Sequence, residues 1–360
     1  MDVSAAEPSR LSLITSPEQL PPALAGSLGA DERELIGKFK TGGLPFAVTP
    51  HFASLAGPEK TDPIRRQFIP DPLESRRGSF ALDDPLGANR YRITPRLIHQ
   101  YLDRVLLLAC GACAGFCRYC FRRVNLGASA AFISAKELEP VLAYLESRRT
   151  IREILVSGGD PLTAGDNELW ELFGKLRKAS PGILIRLCTR IPITNPLRIT
   201  PQTVSFLTLF RPIRIVTHIN HPRELSPEAR IVLSSAAEAG IPVHVQTVLL
   251  RGINDDEKTL AVLFRECLSL GLSPYYLFQL DLAPGTDHFR VPLREGLALY
   301  QKLKLLVSGL ALPAYVVDLP GGGGKIHLHE GAIAGEEDRP GGRVYLLKGP
   351  DGKLWEYPAG

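Results

Sequence analysis

Four of the six cysteines in this 360-residue chain fall within eleven residues, Cys110-Gly-Ala-Cys113-Ala-Gly-Phe-Cys117-Arg-Tyr-Cys120. Thiols this close together suit a metal better than a disulfide framework, which spreads its cysteines along a short secreted chain. Residue chemistry alone leaves two ligand sets open. Four thiolates could close a tetrahedral zinc site. Alternatively, Cys113, Cys117 and Cys120 could each hold one iron of a [4Fe-4S] cluster and leave the fourth iron open. Cys188 and Cys267 stand apart and read as small buried hydrophobes.

Two glycine segments add further chemistry. Ser157-Gly158-Gly159-Asp160 ends an apolar run, and its glycines would let the backbone approach a ligand closely. Pro320-Gly-Gly-Gly-Gly-Lys325 places a lysine at the end of a four-glycine run. It is not a phosphate-binding P-loop, because Ile326 stands where Ser or Thr is needed. It reads either as a mobile surface loop with a solvated lysine, or as a flexible tether for a lysine that forms a Schiff base with pyridoxal phosphate.

These residues must be positioned by regular elements. Short β-branched apolar runs predict strands at 105–109, 153–157, 183–188, 213–219, 242–250, 275–281 and 314–318. Helix signals lie between most of them. Ser134 and Glu137 form a capping box, and Thr200-Pro201 and Ser226-Pro227 each place an N-cap before a proline. Gly240 and Gly271 mark helix ends. Such alternation implies a parallel sheet, either a barrel or an open doubly wound sheet. The cysteines, Ser157–Asp160, Asp281 and Lys325 then follow strand ends, and His218 and Gln246 lie on strands, so one face could gather them all.

The spacing Cys-x3-Cys-x2-Cys, with Tyr119 just before the last cysteine, resembles the radical S-adenosylmethionine superfamily. Together with ILVSGGDPL, THINHPRE, QTVLLRGIND, PYYLFQLDL, HFRVPL and VVDLPGGGGK, it makes the chain similar to the lysine 2,3-aminomutase family. The resemblance runs from about Tyr101 to the C-terminus and selects the [4Fe-4S] reading over zinc. It implies an α/β fold with a partial parallel (β/α)6 barrel over residues 96–312. A mostly helical region, 1–95, would precede it, and a C-terminal segment, 313–360, would carry the lysine.

It also implies roles. Cys113, Cys117 and Cys120 would hold the cluster. Ser157, Gly158, Gly159, Asp160, His218 and Gln246 would line the S-adenosylmethionine site. Lys325 would carry pyridoxal phosphate, with Tyr101 and Arg104 gripping the phosphate. Arg122 would pair with the substrate carboxylate, and Asp281 and Asp318 with a distal ammonium. Two carboxylates there favour lysine, or another basic amino acid, over glutamate, whose own carboxylate they would repel. The implied activity is an isomerase that moves the α-amino group of L-lysine to C3. Alternatives are a relative that modifies lysine for elongation factor P, an aminomutase for another basic amino acid, and a non-catalytic zinc-binding protein. Where the family tends to have Arg, this chain has Gln100, and after Cys267 it lacks the cysteines of the family's C-terminal zinc site.

A net charge of +4 gives no reason to propose nucleic acid. No basic, apolar leader opens the chain, and no run approaches the ~20 apolar residues of a membrane span, so the expectation is a cytoplasmic enzyme. An electron donor such as flavodoxin or ferredoxin, and assembly as a homo-oligomer, follow from the resemblance.

Overall fold

The computed structural model describes residues 11–38, 43–124 and 131–360. The strand-forming runs build the centre of a ten-stranded sheet: β1 (Arg92–Thr94), β2 (Leu97–Tyr101), β3 (Arg104–Cys110), β4 (Glu153–Gly158), β5 (Leu184–Cys188), β6 (Ile213–His218), β7 (Val243–Val248), β8 (Ser273–Phe278), β9 (Ala314–Leu319) and β10 (Gly324–His327). Neighbours in the sheet follow chain order, β1 to β10. Pairings from β3 to β9 are parallel. Each of the six crossovers carries a helix, so six β/α units precede β9. Among the described residues β1 does not pair with β10, and the sheet forms an open, partial barrel.

Local chemistry sets the element ends. Ser134 Oγ accepts from the Glu137 amide while Glu137 Oε2 accepts from the Ser134 amide, opening the helix Ala135–Ser147. The Thr200 and Ser226 hydroxyls likewise accept from the Thr203 and Ala229 amides that open their helices. Gly240 and Gly271 take φ of 74° and 72° just past two helices, a conformation that costs glycine least. In β3, Val105, Leu107 and Ala109 are buried toward the helical layer, while Leu106 and Leu108 on the other face are half-buried. Fully burying a residue such as Leu107 contributes roughly 1.5–3 kcal/mol.

Before the parallel strands, short helices at Pro22–Ser27, Ala30–Lys38 and Pro50–Ser54 and several 3-10 turns are joined by loops. From Arg92 the chain forms the antiparallel β1–β2 edge of the sheet. At the other edge, β10 turns back antiparallel on β9. Beyond it, β11 (Ile333–Arg339), β12 (Gly342–Lys348) and β13 (Leu354–Pro358) make a separate antiparallel sheet.

Candidate active site

The cysteine loop leaves the end of β3 and is gripped from two sides. On one side lies the end of β4. The Gly159 amide donates to the Cys110 carbonyl at 2.8 Å and the Asp160 amide to the Ala112 carbonyl at 2.7 Å. Gly158 has φ of 118°, and a Cβ there would collide with the Cys110 carbonyl; one on Gly159 would collide with that of Ala112. These glycines therefore serve the approach of the cysteine loop itself, a use that their sequence context did not reveal. Asp160 is buried, and its carboxylate accepts from the Thr189 hydroxyl at 2.6 Å and the Arg190 amide at 2.6 Å, and from the Leu162 and Ile191 amides. That carboxylate ties β4 to the turn after β5.

On the other side is the segment preceding the sheet. The Phe116 amide donates to the Ala47 carbonyl and the Arg118 amide to the Gln67 carbonyl. Arg118, fully buried, makes a forked pair with Glu74, with its closest contact at 2.6 Å, and Arg123 joins Glu74 at 2.5 Å. The two guanidiniums hold the Glu74 carboxyl below its usual range despite burial, which pushes the other way. Arg118 and Arg123 thus fasten the cysteine loop to the segment that carries Glu74.

Cys113, Cys117 and Cys120 are half-buried on this loop. Burial pushes the Cys120 thiol up to about 11 and the Cys110 thiol up to about 12. Arg190 Nη1 donates to Cys117 Sγ at 2.9 Å. Among the described residues no three His, Cys, Asp or Glu side chains converge as the ligands of one metal ion. Cys113 lies within electrostatic reach of both Cys120 and Cys117, and a [4Fe-4S] cluster would offer each of the three thiolates its own iron.

The lysine end is built differently. The four-glycine run is not a free tether. Gly321, Gly322 and Gly324 have φ of 69°, 99° and 84°. The Gly321 amide donates to the Pro85 carbonyl, while the Tyr91 hydroxyl at 2.8 Å and the Gln100 amide at 3.3 Å both donate to the Gly322 carbonyl. A Cβ on Gly323 would lie 2.6 Å from the Trp355 ring. The run is a packed turn that needs glycine for φ and clearance, contrary to the expected mobility. Lys325 then sits on β10 opposite Asp318 on β9, with Nζ 2.5 Å from Asp318 Oδ2 and 4.0 Å from the centroid of Phe278. The Lys325 amide donates to the Tyr101 hydroxyl at 3.1 Å, and the Arg104 guanidinium stacks 3.9 Å over the Tyr101 ring.

Between the two ends lie Arg122, His218, Gln246 and Asp281. Arg122 donates to Ser157 Oγ at 3.1 Å and to the Gly158 carbonyl at 2.9 Å. His218 and Gln246 are register partners on β6 and β7 and share a hydrogen bond. Burial, aided by the charge of Arg190, pushes His218 down to about 4, so its ring is neutral at physiological pH. Asp281 lies three residues past β8 rather than at a strand end, because the run is interrupted after Phe278. Burial and then the Asp318 charge push its carboxyl up to about 8, against the pull of Lys325 and Arg122. Among the described residues nothing donates to the buried Asp281 Oδ1.

Residues 108–263 match the Radical SAM superfamily. A Treponema pallidum protein that carries the name L-lysine 2,3-aminomutase provisionally is 45% identical over 86% of this chain and 87% of its own length. The chain belongs to the lysine 2,3-aminomutase family. Within that family, the L-lysine 2,3-aminomutase of Clostridium subterminale is 38% identical over 78% of this chain and 68% of its own. The glutamate 2,3-aminomutase of Clostridioides difficile is 35% identical over 79% and 67%. Overall identity thus leaves the amino acid open within the lysine 2,3-aminomutase family, and the polar groups of the site must decide it.

A family member needs a [4Fe-4S] cluster, S-adenosylmethionine and pyridoxal phosphate, and the residues present suit all three. The thiols share one loop, the backbone at 158–160 is bonded to that loop, and His218 lies within electrostatic reach of Arg190, Arg122 and Lys325. Sequence reasoning missed Arg190, Gln67 and Glu74, which lie far from the cysteines in the chain and carry no motif. It also took Cys188 for a buried hydrophobe; the thiol is half-buried and within electrostatic reach of Arg122. Among the described residues no helix is long and apolar enough to cross a membrane.

Proposed function

We propose that this chain converts free L-lysine to β-lysine by moving the α-amino group to C3. The observation that carries the reading is Asp281: a half-buried carboxyl with one buried, unsatisfied oxygen, within electrostatic reach of Asp318, Lys325 and Arg122. Such an arrangement suits a substrate that is anionic at one end and cationic at the other. A glutamate side chain there would meet the Asp318 carboxylate, and it could not draw the proton from Asp281 as an ammonium does.

In this reading Arg122 pairs with the substrate carboxylate, and Asp281 and Asp318 hold the distal ammonium. Lys325 exchanges Asp318 for the cofactor, so Asp318 is freed for substrate as the lysine is engaged. Tyr101 and Arg104 steady the cofactor phosphate, and Gln100, which holds the Gly322 carbonyl, supports the turn beside it. The cysteine triad and the groups of Ser157, Gly158, Gly159, Asp160, His218 and Gln246 position the cluster and S-adenosylmethionine, with neutral His218 as a hydrogen-bonding wall. When bound, these groups supply a carbon radical that takes hydrogen from the substrate β-carbon and a π-system through which nitrogen migrates. The required electron comes from a small low-potential carrier such as flavodoxin or ferredoxin.

The test is an anaerobic assay of the reconstituted protein with lysine, arginine, ornithine and glutamate, products being separated by mass spectrometry. β-Lysine from lysine alone is expected. Product from glutamate would overturn the two-carboxylate argument. Cleavage of S-adenosylmethionine without an amino acid product would move the substrate to a protein-bound lysine.

A further inference from the structure

Arg190 lies two residues past β5, where no motif marks it. Three acceptors and two rings surround the head of its side chain, while among the described residues Nε finds no acceptor. Nη1 donates to Cys117 Sγ at 2.9 Å; Nη2 donates to Gln67 Oε1 at 2.5 Å and Glu224 Oε2 at 2.8 Å. The guanidinium carbon sits 4.9 Å from the centroid of Phe52 and 5.6 Å from that of Tyr119. Glu224 is itself buried and accepts from the Asn220 and His221 amides and from Gln67 Nε2. The backbone amide of Arg190 is tied to Asp160. Together these contacts hold the cation against the sulfur.

We infer that Arg190 is a positioning residue that raises the reduction potential of the iron–sulfur cluster through Cys117. The inference rests on the reading that Cys117 is a cluster ligand. Reduction adds one negative charge to the cluster and its thiolates. A fixed cation that donates to one sulfur stabilises the reduced form more than the oxidised one. The surroundings are largely dry, which strengthens the effect. Glu224 is bonded to the opposite nitrogen, so it orients the fork and offsets only part of the charge at the sulfur. The two-pronged geometry requires a guanidinium; a lysine could serve the sulfur or the carboxylate side but not both in this fashion.

The test uses anaerobically reconstituted Arg190→Gln, Arg190→Lys and Cys117→Ala proteins. Iron and sulfide content is measured, together with a redox titration followed by electron paramagnetic resonance. Cys117→Ala should lose the cluster; full retention would sink the ligand reading and the inference with it. Arg190→Gln should keep full iron content and titrate at a more negative midpoint, with Arg190→Lys in between. A fully loaded Arg190→Gln protein with the wild-type midpoint would overturn the inference while leaving the ligand reading intact. Should Arg190→Gln fail to assemble, a fully loaded Arg190→Lys protein decides by the same shift. Loss of iron from both Arg190 variants would assign the residue to assembly and overturn a role in the potential.

Discussion

The cysteine end and the lysine end of the site are held by opposite means. The cysteine loop is fastened by backbone bonds to β4 and to the N-terminal segment, and by the buried Glu74–Arg118–Arg123 set. At the lysine end, among the described residues, an ion pair joins Lys325 to Asp318, both partly exposed, and Asp281 Oδ1 has no hydrogen-bond partner. One region is built to keep its arrangement and the other to change partners. A cluster has to be held in one geometry, whereas a lysine that takes up a cofactor and a carboxylate that takes up a substrate must both let go. The stiffness of the glycine turn belongs with this contrast: it fixes where Lys325 starts, and the side chain does the moving.

The largest effect that sharpens the contrast is chemical. Lys325→Ala should abolish turnover while leaving iron content and cluster absorbance unchanged; loss of the cluster as well would show that the two ends are not independent. Next is Glu74→Gln, which leaves two buried guanidiniums without their carboxylate. A loss of about 3–5 kcal/mol in unfolding stability is expected, with poorer iron retention, read by denaturant titration and iron analysis. An unchanged stability would mean that the cysteine end is not locked by this set.

A smaller effect concerns Asp281. Its folded carboxyl keeps its proton up to about 8, whereas an unfolded one releases it near 4. Between those values the folded chain binds more protons, so this group lowers stability as pH rises through the window. Asp281→Asn should flatten that slope. A distal ammonium beside Asp281 favours the charged carboxylate, so lysine binding at pH 7 should release a proton. Calorimetry in buffers of different ionisation enthalpy reads this, and Asp281→Asn should abolish it. The smallest effect is at the turn. Gly323→Ala should cost about 1–3 kcal/mol by overpacking against Trp355, and the cost should shrink in a Trp355→Ala background. Full additivity would mean that the turn is not packed as described.

The parallel core was legible because its strands are apolar, β-branched and bounded by caps that work within three residues, such as Ser134 with Glu137. The edges were not. β10 is four residues long and starts on glycine, and β11 is mostly polar and exposed, so neither shows a period. The turns Arg339-Pro-Gly-Gly-Arg343 and Gly349-Pro-Asp-Gly352 carried a hairpin signal for the small sheet that alternation in the flanks did not reinforce. In the site, residues inside motifs could be named from the chain: the cysteine triad, Ser157–Asp160 and Lys325.

What the sequence determined by itself was the reactive inventory and its order along the chain, because ligand spacing, capping and strand hydrophobicity act over a few residues. Only the tertiary structure decided the partners. It set Glu74 between Arg118 and Arg123, Arg190 on Cys117, and Asp318 on Lys325. It also showed that the glycines of both motifs answer to neighbouring backbone and rings. The reason is physical: burial and close approach are properties of space, and in these cases they join residues that pattern along the chain cannot relate.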